Sequence, residues 1–225
     1  MKRRDFLISA LAAAAGLSAP SRIAGQAKAI EPDLANLADG RGLKLFNRTV
    51  NRLSDGARTG VRLSEAPGEG LAYLEGIELA NGSIELDIRG KDVREQSFVG
   101  VAFHGVDGTT YDAVYFRPFN FRADDPVRRS HAVQYISSPI HKWQKLRTEH
   151  PGTYENAVNP VPDPNGWFHA RVVVASPKVS VFVNDAKEPS LIVSQLSERR
   201  KGLTGLWVDN FGGDFANFKV VPAGL

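Results

Sequence analysis

The sequence predicts an all-β protein, a sandwich of two antiparallel sheets, and three observations carry that reading. Short runs rich in Val, Ile, Phe and Tyr recur between Gly, Pro, Asn and Asp turn signals along most of the chain. No long segment repeats its apolar residues at helical spacing. The chain has 225 residues, a length at which sandwiches remain single domains, and its 42% apolar and 24% charged residues are ordinary for a globular protein.

The N-terminus reads as a targeting segment. Lys2, Arg3 and Arg4 precede a short apolar run from Phe6 to Leu17, and Arg3-Arg4-Asp5-Phe6-Leu7 has the twin-arginine pattern. Twelve apolar residues at ~1.5 Å each reach about 18 Å, too little for a ~30 Å hydrocarbon core. Small residues allow cleavage after Ala27 or Ala29, and the expected location is periplasmic or secreted, with no membrane contact after cleavage. The expected partition is a signal peptide over 1–27, a lead-in over 28–42 and one sandwich domain over 43–225. The leader holds Lys2, Arg3, Arg4 and Arg22 against Asp5, so it carries the whole net charge of +3 and leaves the remainder balanced. A global field for nucleic acid is therefore not expected. The absence of cysteine excludes disulfides, thiolate nucleophiles and zinc–thiolate sites.

Strands are expected at 43–50 and 58–64, split by Ser54-Asp55-Gly56, and at 70–74 after Pro67-Gly68. The run 83–89 follows Asn81-Gly82 and alternates cleanly, with Ile84, Leu86 and Ile88 inward and Glu85, Asp87 and Arg89 outward. Runs at 97–105 and 110–119 flank Asp107-Gly108, a hairpin turn pair. Further strands are expected at 130–137, 167–175, 179–184, 191–193, 203–209 and 214–221. Between 138 and 165 the rhythm breaks into a loop with five prolines. Such a length inside a compact domain points to function or disorder, and Trp143 and Tyr154 among several cations favour function.

Three strands offer a surface. Val99, Val101, Phe103, Val114, Phe116, Val133 and Tyr135 form the apolar parity, which leaves Gly100, Ala102 and His104, Tyr115 and Arg117, and Gln134 on the other. Small residues beside Tyr, Arg, His and Gln suit a shallow trough in which a sugar stacks on an aromatic face and meets fixed donors. The alternative is a face covered by the long loop, with Tyr115 and Arg117 packed structurally. From Arg117 to His150 the chain is basic, and Arg129, His131, Trp143 and Arg147 are the candidate rim of a substrate-binding site for a saccharide, neutral or anionic. Locally paired charges on a solvated loop are the plainer explanation. Asp209 and Asp214 bracket Asn210-Phe211-Gly212-Gly213, and this oxygen-rich stretch is either a structural calcium site or a Gly-containing hairpin turn. No other cofactor is expected, and histidine spacing gives no zinc motif.

Two segments carry a family likeness. Trp167-Phe168-His169-Ala170-Arg171-Val172-Val173-Val174 with Val179-Ser180-Val181-Phe182-Val183-Asn184-Asp185, then Gly202–Val208 with Asp214–Val220, resemble paired strands of laminin-G and concanavalin A-like domains. The implied fold is a concanavalin A-like jelly-roll sandwich. Within it, Val114-Tyr115-Phe116-Arg117 and His131-Ala132-Val133-Gln134-Tyr135-Ile136 resemble strands of the 3-keto-disaccharide hydrolase family. Arg117 and Gln134 match that family's pattern. Its Glu falls on Ala132 here, and its late His has no counterpart in Leu206-Trp207-Val208-Asp209-Asn210. Glu85-Leu86-Asp87-Ile88-Arg89-Gly90 also resembles the catalytic strand of family 16 glucanases, with Gly90 at the place of its last acid. Two functions stay open: a glycoside hydrolase of 3-keto-disaccharide type with His104 as its catalytic base, or a non-catalytic module for a glycan or envelope partner.

Overall fold

Alternation decides the layers. In β5 (Gly82–Arg89) Ile84, Leu86 and Ile88 are fully buried, while Ser83, Glu85 and Arg89 stay partly exposed, as a strand with one face on a core requires. The structure, a computed structural model, describes residues 28–56 and 58–224. The twin-arginine leader read over 1–27 lies outside the described residues.

Among the described residues, fourteen strands form two sheets of seven. The first runs β1 (Leu43–Phe46), β4 (Glu69–Leu79), β13 (Gly202–Asn210), β6 (Ser97–Gly105), β7 (Tyr111–Phe116), β8 (Val133–Ser138) and β9 (Glu155–Asn156). The second runs β12 (Leu191–Ser194), β11 (Lys178–Val183), β10 (Phe168–Ala175), β5, β14 (Gly213–Pro222), β3 (Arg58–Leu63) and β2 (Val50–Asp55). Every strand pairing is antiparallel. The architecture is the two-sheet sandwich that the alternation predicts, in the jelly-roll form that the family likeness implied.

Facing side chains of the two sheets build the core. Phe168 of β10 meets Phe116 of β7 edge-on at 5.0 Å and Phe121 at 5.3 Å. Each fully buried side chain of this size contributes roughly 1.5–3 kcal/mol of transfer free energy. The lead-in, expected to precede the domain, joins it: Ile30 exchanges two backbone hydrogen bonds with Val220, and Leu34, on a 3-10 turn capped by Asp33, enters the core.

The segment 138–165 is ordered. It follows the short helix α1 (Pro126–Arg129) and β8, holds α2 (Trp143–Glu149) and β9, and folds back over the outer face of the first sheet. Leu146 of α2 is buried, and Lys142 reaches across to Glu69 on β4. The expectation of a bare outer face is corrected here, because apolar and aromatic groups on that face need a cover. Among the described residues no helix is long and apolar enough to cross a membrane.

Candidate functional site

Register places the candidate residues. One row across the outer face of the first sheet reads Leu71, Trp207, Gly100, Tyr115, Gln134 and Glu155 on adjacent strands. Because Gly100 has no side chain, Trp207 and Tyr115 stack across it at 4.6 Å and 26°. A Cβ there would lie 2.1 Å from the Val114 carbonyl oxygen, so only Gly fits. Trp207 Nε1 donates to the Tyr111 hydroxyl at 3.1 Å, and that hydroxyl donates to Glu69. Tyr115 and Trp207 are buried, and burial pushes the Tyr115 phenol up to about 12. They are a floor beneath the cover. Tyr115 as an open stacking platform is thereby corrected.

Arg117 ends β7 and turns onto the same row. Its guanidinium donates to the His131 carbonyl oxygen, the Tyr115 hydroxyl and Gln134 Oε1, each at 2.8 Å. Glu155 Oε2 lies 3.8 Å from it. Arg147 of α2 grips Glu155 with two hydrogen bonds of 2.9 and 2.7 Å, and its guanidinium lies 4.8 Å from the Trp143 ring centroid. His131 Nδ1 lies 2.9 Å from Glu155 Oε1 but off the hydrogen-bond line, so that nitrogen stays unpartnered. Burial drives the His131 pKa below its ordinary value. Glu155 opposes the shift, and the charges of Arg147 and Arg117 add to it. Glu155 thus anchors three predicted residues, and sequence reasoning missed it.

A cleft of about 430 Å³ opens where this row meets the end of the sheet. Arg117, His131, Trp143 and Arg147 line it, and so do residues not singled out in the sequence: Phe98, Asn120 and Arg128. Its volume falls within the ~300–1,000 Å³ usual for small-molecule sites. Trp143 is 37% exposed, and Arg128 meets no carboxylate among the described ion pairs. Asn120 is buried, yet its Oδ1 has no hydrogen-bond partner. Asp209 forms another wall. Burial and then the Glu69 charge raise its pKa, with Arg48 opposing, and its Oδ1 is also unpartnered.

Three expected placements do not hold. His104 does not share the cleft. A bulge in β6 sets Phe103 and His104 opposite the single residue Thr204, His104 takes φ +48°, and its ring turns into the space between the sheets. There it is fully buried, with Nε2 2.8 Å from the Ala80 carbonyl oxygen and Nδ1 accepting from Gln195 at 2.7 Å. Asp112 closes that cluster. Burial raises its pKa, but the neighbouring His104 ring, the Ser197 and Ser137 hydroxyls and the Arg199 charge outweigh it and hold the carboxyl low. Arg129 turns away and donates to the Ala123 and Asp124 carbonyl oxygens. Asp209 and Asp214 belong to opposite faces: Asp214 is filled by Arg62 and Arg89 on the second sheet. Their connection carries the chain from the first sheet to the second, with Gly212 at φ +70°, so the hairpin turn expected there is corrected as well. Among the described residues no cluster of three or more His, Cys, Asp or Glu could hold a metal ion, and the calcium pair is corrected.

No family profile matches the chain, and no curated protein does. Solved structures do match in shape. The carbohydrate-binding module CBM66 from Bacillus subtilis superposes with a TM-score of 0.56 at 15% identity, over 80% of this chain and 95% of its own. Domain 4 of AbnA, an extracellular GH43 arabinanase from Geobacillus stearothermophilus solved with arabinotriose, gives 0.52 at 12%, over 89% and 95%. The exoplasmic/lumenal domain of VIP36, solved with Ca2+ and Man3GlcNAc, gives 0.50 at 9%, over 81% and 86%. At these identities the likeness is one of fold alone, a jelly-roll sandwich of two antiparallel sheets.

Proposed function

We propose that the chain is an exported saccharide-binding sandwich whose site is the cleft walled by Arg117, His131, Trp143 and Arg147. The observation that carries this reading is the convergence of guanidinium groups beside a part-exposed indole, over a cleft of about 430 Å³ with an unpartnered Asn120 Oδ1 in its wall. Sugars need such a site: an aromatic face for the C–H side of the ring and rigid donors and acceptors for hydroxyls. Arg128, with no carboxylate partner among the described residues, supports an anionic sugar. The sandwiches of similar shape, one named for carbohydrate binding and two solved with oligosaccharides, lend support without naming a ligand. The leader read over 1–27 supports delivery to the periplasm or beyond, and replacing Arg3 and Arg4 by Lys is expected to hold the protein inside the cell in fractionation.

The test is calorimetric titration with neutral and acidic glycans, wild type beside Trp143→Ala. A part-exposed Trp at a rim contributes little to stability, so the variant is expected to melt as wild type does and to bind at least ten-fold more weakly. Equal affinity in both proteins, or no glycan bound, sinks the proposal.

A hydrolytic reading is favoured by one observation: the cleft pairs Asp209, an acid with a raised pKa, with His131, an imidazole with a lowered one. In that reading His131 takes a proton from water while Asp209 donates to the leaving oxygen. The likeness of Arg117 and Gln134 to 3-keto-disaccharide hydrolases adds to it. Release of 3-keto-glucose from a 3-keto-glucoside, abolished by Asp209→Asn, is its expected result. Binding without turnover leaves the module alone standing.

A further inference from the structure

The cleft does not end at its own wall. Asn210 closes one side of it, and Asn210 also borders a small hollow of about 150 Å³ lined by Glu65, Gln96 and Phe211. Glu65 and Phe211 in turn border a second large cleft of about 470 Å³, on the side of Arg62, Arg89 and Asp214. The three depressions share their dividing residues, so they form one trough that passes over the turn joining β13 to β14. Because β13 belongs to the first sheet and β14 to the second, the trough crosses from one layer to the other.

Its length follows from the architecture. Asp209 and Phe98 pair on β13 and β6, and Arg117 and Ala132, one residue outside β7 and β8 and joined by a backbone hydrogen bond, continue the row, three steps of ~4.8 Å; the second sheet lies ~10 Å further on, so the trough runs roughly 25 Å. That exceeds a disaccharide. Both ends are built alike. At the first, Arg147 is fixed by Glu155 and lies against Trp143; at the second, Arg62 and Arg89 are fixed by buried Asp214. Each end also offers an aromatic ring and a cation with no carboxylate partner among the described residues. These are Trp143 with Arg128 at one end and Phe211 with Lys91, 4.5 Å from its ring centroid, at the other.

We propose, resting on the saccharide reading above, that the ligand is an extended segment of a polymer of carboxylate-bearing sugars, held along the whole trough. Recurring acid groups on such a chain meet Arg128 and Lys91, and its ring faces meet Trp143 and Phe211. Neither end alone engages both.

The test is calorimetry at low salt with α-1,4-linked oligogalacturonates of two to eight units and neutral cello-oligosaccharides of the same lengths. Affinity is expected to rise at least ten-fold from the acidic dimer to the octamer. Phe211→Ala and Lys91→Gln are each expected to lower octamer affinity about three- to ten-fold and to leave the dimer bound at the Trp143 end unchanged. The longer chain's extra binding registers raise affinity too, but that gain does not depend on Phe211. Both residues are at least part-exposed, and thermal melting confirms folding; Lys91, fully at the surface, serves where Phe211→Ala melts early. Dimer and octamer binding equally, or an octamer indifferent to both variants, overturns the trough and leaves the saccharide site standing. A neutral octamer binding as tightly as the acidic one overturns the acidic polymer. Failure of every sugar to bind overturns both readings.

Discussion

Glu155→Gln isolates the charge that holds the cleft together. The replacement keeps size and one acceptor oxygen, and removes the negative charge facing Arg147, Arg117 and His131. Stripping one partner from a buried ion pair costs about 3–5 kcal/mol. Two features reduce that here. The Arg147 side chain is 34% exposed, so water screens part of its charge once Glu155 is gone. Arg117 keeps three other acceptors and stands 3.8 Å away, so it loses attraction without losing its hydrogen bonds. The expected loss is about 2 kcal/mol. With an m-value of about 2–3 kcal/mol/M in urea, the unfolding midpoint falls by roughly 0.7–1 M. Equilibrium unfolding followed by tryptophan fluorescence reads this directly, since Trp143 and Trp207 both border the affected region. A midpoint shift under ~0.2 M would refute the argument that Glu155 is a structural counter-ion, because m scales the shift into stability.

Two further outcomes follow from the same physics. His104→Asn leaves hydrogen-bonding groups of Ala80 and Gln195 unmatched between the sheets and is expected to cost about 2–3 kcal/mol in urea unfolding, while glycan affinity of the folded fraction stays at the wild-type value. A loss of affinity at full folding would return His104 to the site. On the second sheet, Asp87 receives hydrogen bonds from His169, Asn217 and Arg58 that outweigh its burial and bring its pKa down to about 2. Its stabilisation is present above the unfolded value near 3.8 and fades as pH falls toward 2. The hydrogen bond to Asp87 raises the His169 pKa, with burial opposing, so that contribution is complete below 6.5 and fades as pH climbs past the folded value. Asp87→Asn is therefore expected to flatten the urea midpoint on both flanks, and unchanged slopes in the variant would refute the pairing.

How far the sequence carried depends on how local each cause was. The strand 97–105 is found at its predicted bounds, and β5 shows its alternation outright, because one face meets a core and the other water. β4 was read as 70–74 and runs Glu69–Leu79; Gly76 at φ +75° bends it, and burial on both faces from Gly70 to Leu74 erases the alternation. The helix α2 was hidden in a proline-rich stretch because its apolar contact is essentially one residue, Leu146. Parity and the family likeness both place Arg117 and Gln134 on one face, and they do meet at 2.8 Å. His104 has the same nominal parity, but the bulge that reverses it comes from pairing with β13, about a hundred residues later. Glu155 was missed because its partners meet it only through a tertiary fold-back, and its one sequence clue was weak: an acid eight positions after Arg147, within a loop too long to be idle.

Neither sheet can be completed early. β13 stands between β4 and β6, and β14 between β5 and β3, so the last two strands made are the keystones of both layers. A nascent chain lacking residues 202–222 has each sheet split into two pieces with raw inner edges and no closed core. Assembly must therefore wait until these residues have been made, and the strand pairings that matter most are among the most distant along the chain, which slows folding. Loss of residues 202–222 would not trim this protein; it would leave nothing that holds.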